Sequence, residues 1–109
     1  MREGGDRFMW LMVFFDLPVK TAAERKTATQ FRKFLLKDGY AMLQWSVYAR
    51  VCNGQDRVDK HTLRLRNALP PRGSIRCLCV TDKQYGRMQI LLGNRANAEK
   101  NGPEQLVLL

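Results

Sequence analysis

Asp16 is the residue of this sequence whose position best suits a ligand-binding or catalytic role. It ends the apolar run from Phe8 to Phe15, and Leu17-Pro18 follows it directly. A run this short, rich in aromatic residues, predicts a strand rather than a helix. The carboxyl end of a central strand is a common position for ligands and chemistry in layered structures. The alternative is an aspartate that only shapes the turn before Pro18.

The cysteine and histidine residues do not favour a zinc site or a Cys/His catalytic site. The cysteines are Cys52, Cys77 and Cys79, and the single histidine is His61. One residue separates Cys77 from Cys79, which is closer than a usual zinc pair. A Cys/His catalytic system is also unexpected with one histidine. We expect buried free thiols in a reducing, cytoplasmic environment, and a surface or boundary position for His61.

The composition shows a strong excess of positive charge. The 109 residues include 19 Lys and Arg against 10 Asp and Glu, a net charge of +9. This excess indicates a polyanionic partner, with nucleic acid favoured over an anionic membrane surface. A basic surface without a partner is the remaining alternative. No apolar run is long enough to span a membrane.

Local patterns place a helix directly after Asp16. Thr21 and Glu24 form a capping-box pattern that begins it, and Gly39 is the expected end. Arg25 and Lys26 lie in its first turns, where cations oppose the helix dipole. A phosphate backbone is one reason for cations at that position. The predicted core stripe of this helix is Ala28, Phe31, Phe34 and Leu35.

The next predicted strand runs from Tyr40 to Val51, either as one strand or bent into two, and alternates between two faces. We expect one face to pack on helices and the other to be a polar and aromatic surface, as at a wet interface or a nucleic-acid surface. The predicted inner face contains Ala41, Leu43, Trp45, Val47, Ala49 and Val51. The predicted outer face contains Tyr40, Met42, Gln44, Ser46, Tyr48 and Arg50.

Three further elements complete the prediction. They are a helix from Asp56 to Leu69 with an inner stripe of Val58, Thr62, Leu65 and Leu69, a strand from Ser74 to Thr81, and, after a turn at 82–85, a short strand from Met88 to Leu92.

The order of elements predicts the α+β class, as a ferredoxin-like βαββαβ sandwich with an extra C-terminal strand. Residues 1–7 are expected to be a flexible leader, 8–93 the domain, and 94–109 a tail whose last residues, Gln105 to Leu109, pair with a sheet edge. Helices cover one face of such a sheet, but the first strand is apolar on both faces. A face-to-face homodimer would cover the second face and bring Asp16 near its own copy.

Several motifs in order give a specific resemblance. They are Phe-Asp-Leu-Pro at 15–18, Phe-Arg-Lys-Phe-Leu at 31–35, Asp-Gly-Tyr at 38–40, Gln-Trp-Ser-Val-Tyr-Ala-Arg at 44–50, Gly-Ser-Ile-Arg at 73–76 and Val-Thr-Asp-Lys-Gln-Tyr at 80–85. With these motifs the sequence, from Trp10 to Gly93, resembles the small CRISPR-associated nuclease of the spacer-acquisition module, the Cas-two family. In detail it is most similar to the branch found beside type II effectors.

The resemblance implies a homodimer in which Asp16 is the catalytic residue and a ligand of Mg²⁺, or of Mn²⁺ in its place, between the subunits. It implies metal-dependent endonuclease cleavage of single-stranded RNA or double-stranded DNA. It also implies the adaptation integrase of the CRISPR system as a partner in the acquisition of new spacers. It implies nucleic-acid binding by Arg25, Lys26 and Tyr48, and we expect Arg50, on the same predicted strand face as Tyr48, to contribute to that binding.

Two features depart from nuclease-active relatives: Met42 stands where some have a basic residue, and the loop from Leu17 to Thr21 lacks acidic residues. The alternative function is a non-catalytic, dimeric DNA-binding scaffold of the integration complex, which requires only the positive charge. A third possibility is an RNA-binding sheet with stacking aromatics at Tyr40 and Tyr48. The other candidate carboxylates, Asp38 and Asp82, lie in turn signals, and we expect structural roles for them.

Overall fold

A four-stranded antiparallel sheet and three helices make up residues 7–93, the part of the chain that the computed structural model describes. The strands are β1 (Phe8–Asp16), β2 (Ala41–Gln44), β3 (Val47–Asn53) and β4 (Ser74–Thr81), and the helices are α1 (Ala22–Lys37), α2 (Gln55–Arg66) and α3 (Asp82–Gly86). The sheet order is β2-β3-β1-β4. This α+β arrangement is compatible with the predicted ferredoxin-like plan. The predicted leader up to residue 6 and the predicted tail from residue 94 lie outside the described residues.

The central strand β1 is apolar on both faces, as predicted. On its inner face, Leu11, Val13 and Phe15 are between 0 and 7 % exposed and form the core with residues of α1 and α2. On its outer face, Met12 is 8 % exposed and lies in register between Ala49 of β3 and a leucine of β4. The pairing of β1 with a strand on each side fixes the position of its last residue.

Helix α1 begins and ends where the sequence predicts. The Thr21 hydroxyl accepts from the Glu24 amide at 3.1 Å, and the Glu24 carboxylate accepts from the Thr21 amide at 3.0 Å. At the other end, Asp38 caps the helix, and Gly39 has a φ of +94°, in the left-handed region that favours glycine. Of the predicted core stripe, Ala28, Phe31 and Leu35 are buried and Phe34 is half-buried.

The predicted strand from Tyr40 to Val51 is divided into β2 and β3 by a turn at Trp45 and Ser46, and the assignment of its faces was wrong. Tyr40 and Tyr48 are 4 and 2 % exposed and belong to the core beneath the helices, whereas Val51 is 42 % exposed. Alternation separates the two faces of a strand but does not say which one the helices cover. The face that contains Gln44, Ser46 and Arg50 is the more polar one, yet its tyrosines lie in the core, so hydrophobicity pointed to the wrong face.

Helix α2 differs from the prediction at both ends and in its buried stripe. Its N-cap is Gly54, with a φ of +100°, so Asp56 lies in the first turn and is not the cap. Leu69 lies beyond the helix and is 53 % exposed. His61 is 7 % exposed and therefore buried, so its predicted surface or boundary position was wrong. The buried residues of α2 are Val58, His61 and Leu65.

The segment after β4 also departs from the prediction. The expected turn is the short helix α3, which is capped by Thr81 and Gln84. Met88 to Leu92 does not form a strand, and its last two leucines are 76 and 93 % exposed.

The cysteines agree only in part with the expectation of buried free thiols. All three cysteines are free, but only Cys52 is fully buried, since Cys77 is exposed and Cys79 is half-buried. Burial raises the pKa of the Cys52 and Cys79 thiols.

Within residues 7–93, no helix has the length and apolar character needed to cross a membrane.

Candidate functional site

Asp16 lies at the outer-face end of β1, where it is exposed and pairs in register with Ser74 of β4. Gly73, with a φ of +103°, allows this junction, because a Cβ atom there would lie 2.7 Å from the carbonyl oxygen of Asp16. The same Cβ would lie 2.7 Å from Cδ2 of Leu17. Among residues 7–93, the side-chain hydrogen bonds and ion pairs to carboxylates go to other acidic residues and not to Asp16. The Asp16 backbone is thus held firmly, while its carboxylate faces solvent.

The loop between Asp16 and α1 is braced by Arg25, one of the predicted nucleic-acid contacts. Nη1 of Arg25 donates to the carbonyls of Val19 at 3.1 Å and Lys20 at 3.0 Å. The Glu24 carboxylate accepts from the amides of Lys20 and Thr21. The Thr21 amide, with smaller effects of the Lys20 amide and a nearby arginine, lowers the pKa of Glu24. Arg25 therefore shapes this loop while its guanidinium remains exposed.

Further positive side chains lie around this end of the sheet. Lys26 is exposed on the first turns of α1, as predicted. Arg76 of β4 is exposed on the outer face, opposite Phe14 and two residues from the partner of Asp16. Arg72 is exposed as well and lies 3.8 Å from the Glu24 carboxylate. These cations create a positive field at the edge where Asp16 is exposed.

A stacked pair of side chains, which the sequence reasoning missed, lies at the same end of the sheet. The guanidinium carbon of Arg32 lies 4.1 Å from the ring centroid of Trp45 and 5.3 Å from that of Phe15. Nε of Arg32 faces the Trp45 carbonyl at 3.4 Å. The Phe15 amide donates to the Ser46 carbonyl at 3.1 Å, which fastens the β2–β3 turn to β1. Arg32 and Trp45 are 13 residues apart in sequence, so only the tertiary structure brings them together.

The Asp16 carboxylate could serve as an oxygen ligand for a metal ion. Across residues 7–93, no group of three or more His, Cys, Asp or Glu side chains could hold a metal ion. A carboxylate oxygen is the type of donor that Mg²⁺ and Mn²⁺ prefer. The donor type therefore fits a divalent cation, and further ligands would have to come from water, the substrate or a second copy of the chain.

Comparison with known proteins gives a consistent result. The family model described as CRISPR associated protein Cas2 matches residues 9–88. The chain belongs to the Cas2 family. A relative from Flavobacterium psychrophilum is 44 % identical over 102 residues, which cover 94 % of this chain and 89 % of the relative. A second, from Acidovorax ebreus, is 53 % identical over 85 residues, covering 78 % of this chain and 83 % of the relative. Both relatives are named CRISPR-associated endoribonuclease Cas2.

The Cas2 resemblance also pointed to Tyr48, and the predicted outer strand face pointed to Arg50. The structure does not place either residue beside Asp16 at the surface. The ring of Tyr48 is 2 % exposed and packs at 5.7 Å from Phe15, so no base can stack on it in this structure. Nη1 of Arg50 donates to the Asp38 carbonyl, and its Nε donates to the Val51 carbonyl at 3.3 Å. The prediction that these two residues lie on an exposed, nucleic-acid-facing surface was wrong. Both belong to the inner face.

Arg50 joins a cluster around the buried Asp38 carboxylate, which we call the Asp38 cluster and define as Asp38, His61, Arg64 and Arg50. Asp38 and His61 are buried, Arg50 is half-buried and Arg64 is exposed. The Asp38 carboxylate accepts from Nε of Arg64 at 2.6 Å and from Nδ1 of His61 at 2.9 Å. The Asp38 side chain is 4 % exposed. This carboxylate links the end of α1 to α2, so its expected structural role is confirmed.

The second carboxylate with an expected structural role, Asp82, is also engaged within the chain. It accepts from Nε1 of Trp10 at 2.7 Å. The Trp10 ring stacks on Tyr85 with 3.9 Å between centroids. Asp82 therefore anchors α3 to β1. Of the three carboxylates Asp16, Asp38 and Asp82, Asp16 is the one that has no side-chain hydrogen bond or ion pair within residues 7–93.

Proposed function

We propose that this protein is a CRISPR-associated, metal-dependent endonuclease that cleaves single-stranded RNA or double-stranded DNA during the acquisition of new spacers. The observation that supports this most directly is the exposed Asp16 carboxylate at a strand end of a chain that belongs to the Cas2 family. The relatives' printed name, endoribonuclease, supports nuclease activity in general. The adaptation integrase is the proposed protein partner, and the cytoplasm is the proposed location.

The working unit in this proposal is a homodimer formed through the outer faces of two sheets. Exposed apolar side chains on that face support it, since Phe8, Val51 and Leu78 are 39, 42 and 53 % exposed. Apolar side chains clustered on an otherwise basic surface are typical of an interaction site. Asp16 ends the same face of β1, so a two-fold axis through this face would bring two Asp16 carboxylates toward each other.

A divalent cation, Mg²⁺ or Mn²⁺, is the proposed cofactor, with Asp16 of each subunit as its protein ligand. Such an ion supplies charge neutralisation at a phosphate and a more acidic water at neutral pH. The chain's own residues bind and orient the substrate. Arg25 and Lys26 contact the phosphate backbone from the first turns of α1, and the braced loop before α1 keeps these cations beside Asp16.

A direct test compares the wild type with Asp16→Ala on labelled single-stranded RNA and double-stranded DNA, each with Mg²⁺ or with EDTA. We expect Mg²⁺-dependent cleavage by the wild type and a loss of at least about 100-fold in Asp16→Ala, because the variant removes the metal ligand. Nucleic-acid binding should be retained. Asp56→Ala is the matched control. Asp56 is also exposed, but it lies in the first turn of α2, directly after the end of β3 that pairs with Phe8, and therefore at the opposite end of β1 from Asp16. Equal cleavage by Asp16→Ala and the wild type would overturn the proposal.

The second candidate function is a non-catalytic, dimeric scaffold that binds double-stranded DNA for the integrase. The net charge of +9 per chain favours it, because electrostatic binding of a duplex requires nothing of Asp16. It predicts that the wild type and Asp16→Ala bind duplex DNA equally, with an affinity that falls steeply with salt, and that neither protein cleaves the DNA.

A further inference from the structure

We propose that the exposed face of Trp45 is a stacking site for one unpaired base of a single-stranded nucleic acid. This inference rests on the proposed function, because it requires that the protein binds nucleic acid. It adds a binding residue at the Asp16 edge that takes a specific chemical group, the flat face of a nucleobase.

The geometry of Trp45 suits a stacking platform. Its side chain is 68 % exposed, although the Arg32 guanidinium carbon lies 4.1 Å from its ring centroid. One face of the indole is therefore covered by a cation and the other face is open to solvent. Because Arg32 also holds the backbone of Trp45, the ring is ordered before a ligand arrives, which lowers the entropic cost of binding.

The platform is fastened to the residue that precedes Asp16. Arg32 lies between Trp45 and Phe15, and Phe15 packs edge-on against Phe31 with 5.1 Å between centroids. The Phe15 amide also holds the turn that carries Trp45 through the Ser46 carbonyl. A base stacked on Trp45 would thus anchor a strand at the same end of β1 as the exposed carboxylate.

A nucleobase fits this position better than a second copy of the chain. The proposed dimer uses the outer face of the sheet, whereas Trp45 is held by Arg32 of α1, a helix that packs on the inner face. The surroundings are basic, with Lys33 exposed next to Arg32 and a net charge of +9 on the chain. Aromatic rings beside cations bind single strands in many proteins, because every base offers a flat face. Bases of a duplex are already stacked on each other, so the site should select unpaired bases.

Tryptophan fluorescence gives a direct test, because the chain has two tryptophans in different surroundings. Trp10 is already stacked on Tyr85, whereas Trp45 has one free face. The wild-type protein is titrated in EDTA, at fixed low salt, with a short oligothymidylate and with an abasic oligonucleotide of equal length. We expect saturable quenching with oligothymidylate and none with the abasic strand. Trp45→Phe should abolish the quenching and bind oligothymidylate within about 3-fold of the wild type, because Phe still stacks.

Truncation of the ring provides the affinity readout. Trp45→Ala should bind oligothymidylate about 10-fold more weakly and bind a duplex of equal charge as the wild type does. Leu63→Ala, which truncates a side chain that is 58 % exposed, is the matched control and should change neither affinity. Circular dichroism checks the folding of Trp45→Ala, and Trp45→Phe tests the site independently should that variant unfold.

Three results would overturn the stacking site. They are unchanged single-strand affinity in a folded Trp45→Ala, an equal loss of affinity for duplex and single strand, and emission that changes with protein concentration alone in the wild type but not in Trp45→Phe, which would show that a second copy covers Trp45. Asp16→Ala separates this proposal from the proposed function. We expect this variant to lose cleavage and to keep the quenching. Quenching by a wild-type protein that does not cleave would support the stacking site and count against the nuclease, whereas wild-type cleavage without quenching would do the reverse.

Discussion

Asp16 and Asp38 are both carboxylates at the end of a secondary-structure element, and their surroundings are opposite. Asp38 follows α1, is 4 % exposed in its side chain, and accepts hydrogen bonds from His61 and Arg64. Asp16 ends β1 and is exposed. A buried charge is tolerated only when it is paired, so the ligand capacity of Asp38 is used within the protein. The comparison shows that the position of a carboxylate, rather than its residue type, leaves it available for a ligand from outside the chain.

Alanine at each of these two positions should affect stability very differently. Asp38→Ala leaves the buried His61 without its partner and breaks the link between α1 and α2. We expect it to lower the free energy of unfolding by about 3 kcal/mol. Asp16→Ala should change it by less than about 0.5 kcal/mol, because an exposed side chain that makes no hydrogen bond or ion pair within residues 7–93 contributes little. Urea unfolding followed by circular dichroism measures both.

Asp38→Asn sharpens the same comparison. The amide oxygen can still accept from Arg64, so the loss should be smaller than in Asp38→Ala. Asp56→Ala, at an exposed position of α2, gives the background value for removing an acidic side chain. Equal losses for Asp16→Ala and Asp38→Ala would contradict the distinction and show that Asp16 has a structural role.

The parts of the fold and site that the sequence predicts correctly depend on local physical chemistry. Thr21 and Glu24 satisfy each other's backbone donors within one turn, so the start of α1 can be predicted from four residues. Glycine is favoured where a chain leaves a helix with a positive φ, and Gly39 is the residue that does so after α1. The position of Asp16 at the end of β1 follows from the length of the apolar run before it.

The parts that it does not predict depend on long-range packing. Tyr48 lies on the inner face because α1 and α2 cover that side of the sheet, and alternation along a strand contains no such information. Arg32 and Trp45 meet only once α1 packs beside the β2–β3 turn. For His61 a signal was present: it follows Val58 by three residues and precedes Leu65 by four, which is the spacing of a buried helix stripe.

Gly73→Ala should show how firmly the Asp16 edge depends on its backbone. A Cβ at this position would lie 2.7 Å from the Asp16 carbonyl oxygen, and φ is +103°. Gly54→Ala is a matched control, because Gly54 has a φ of +100° and a Cβ there would have nothing within 4 Å. We expect about 1 kcal/mol of destabilisation in Gly54→Ala and about 2 kcal/mol or more in Gly73→Ala. The difference in destabilisation between the two variants measures how strongly a Cβ at position 73 crowds Asp16.

Only Gly73→Ala should also impair the Mg²⁺-dependent cleavage of the proposed function, because the crowding displaces the residue that carries the carboxylate. Thermal unfolding gives the stability of both variants, and the labelled single-stranded RNA gives their activity. Equal stability and equal activity of the two glycine variants would show that the Asp16 backbone adapts at no cost.

Tyr40→Phe should give the smallest effect and tests the buried region next to Asp38. The Tyr40 hydroxyl is buried and has no hydrogen-bond partner among the described residues, and burial, with a further effect of the Asp38 charge, raises its pKa well above 10.0. The neutral form is therefore favoured in the folded protein. The contribution of Tyr40 to the free energy of unfolding is present below pH 10. It is lost as the pH rises further, because the Tyr40 hydroxyl then ionises in the unfolded chain but not in the folded protein.

Tyr40→Phe removes both that pH dependence and the unpaired hydroxyl, so we expect unchanged or up to about 1 kcal/mol greater stability at neutral pH. Its stability should also fall less steeply than that of the wild type above pH 10 in urea unfolding. The Cys52 and Cys79 thiols, whose pKa values are also raised by burial, contribute equally in both proteins, so the difference between the two curves isolates Tyr40. Parallel curves above pH 10 would show that the Tyr40 hydroxyl ionises as easily in the folded protein as in the unfolded chain.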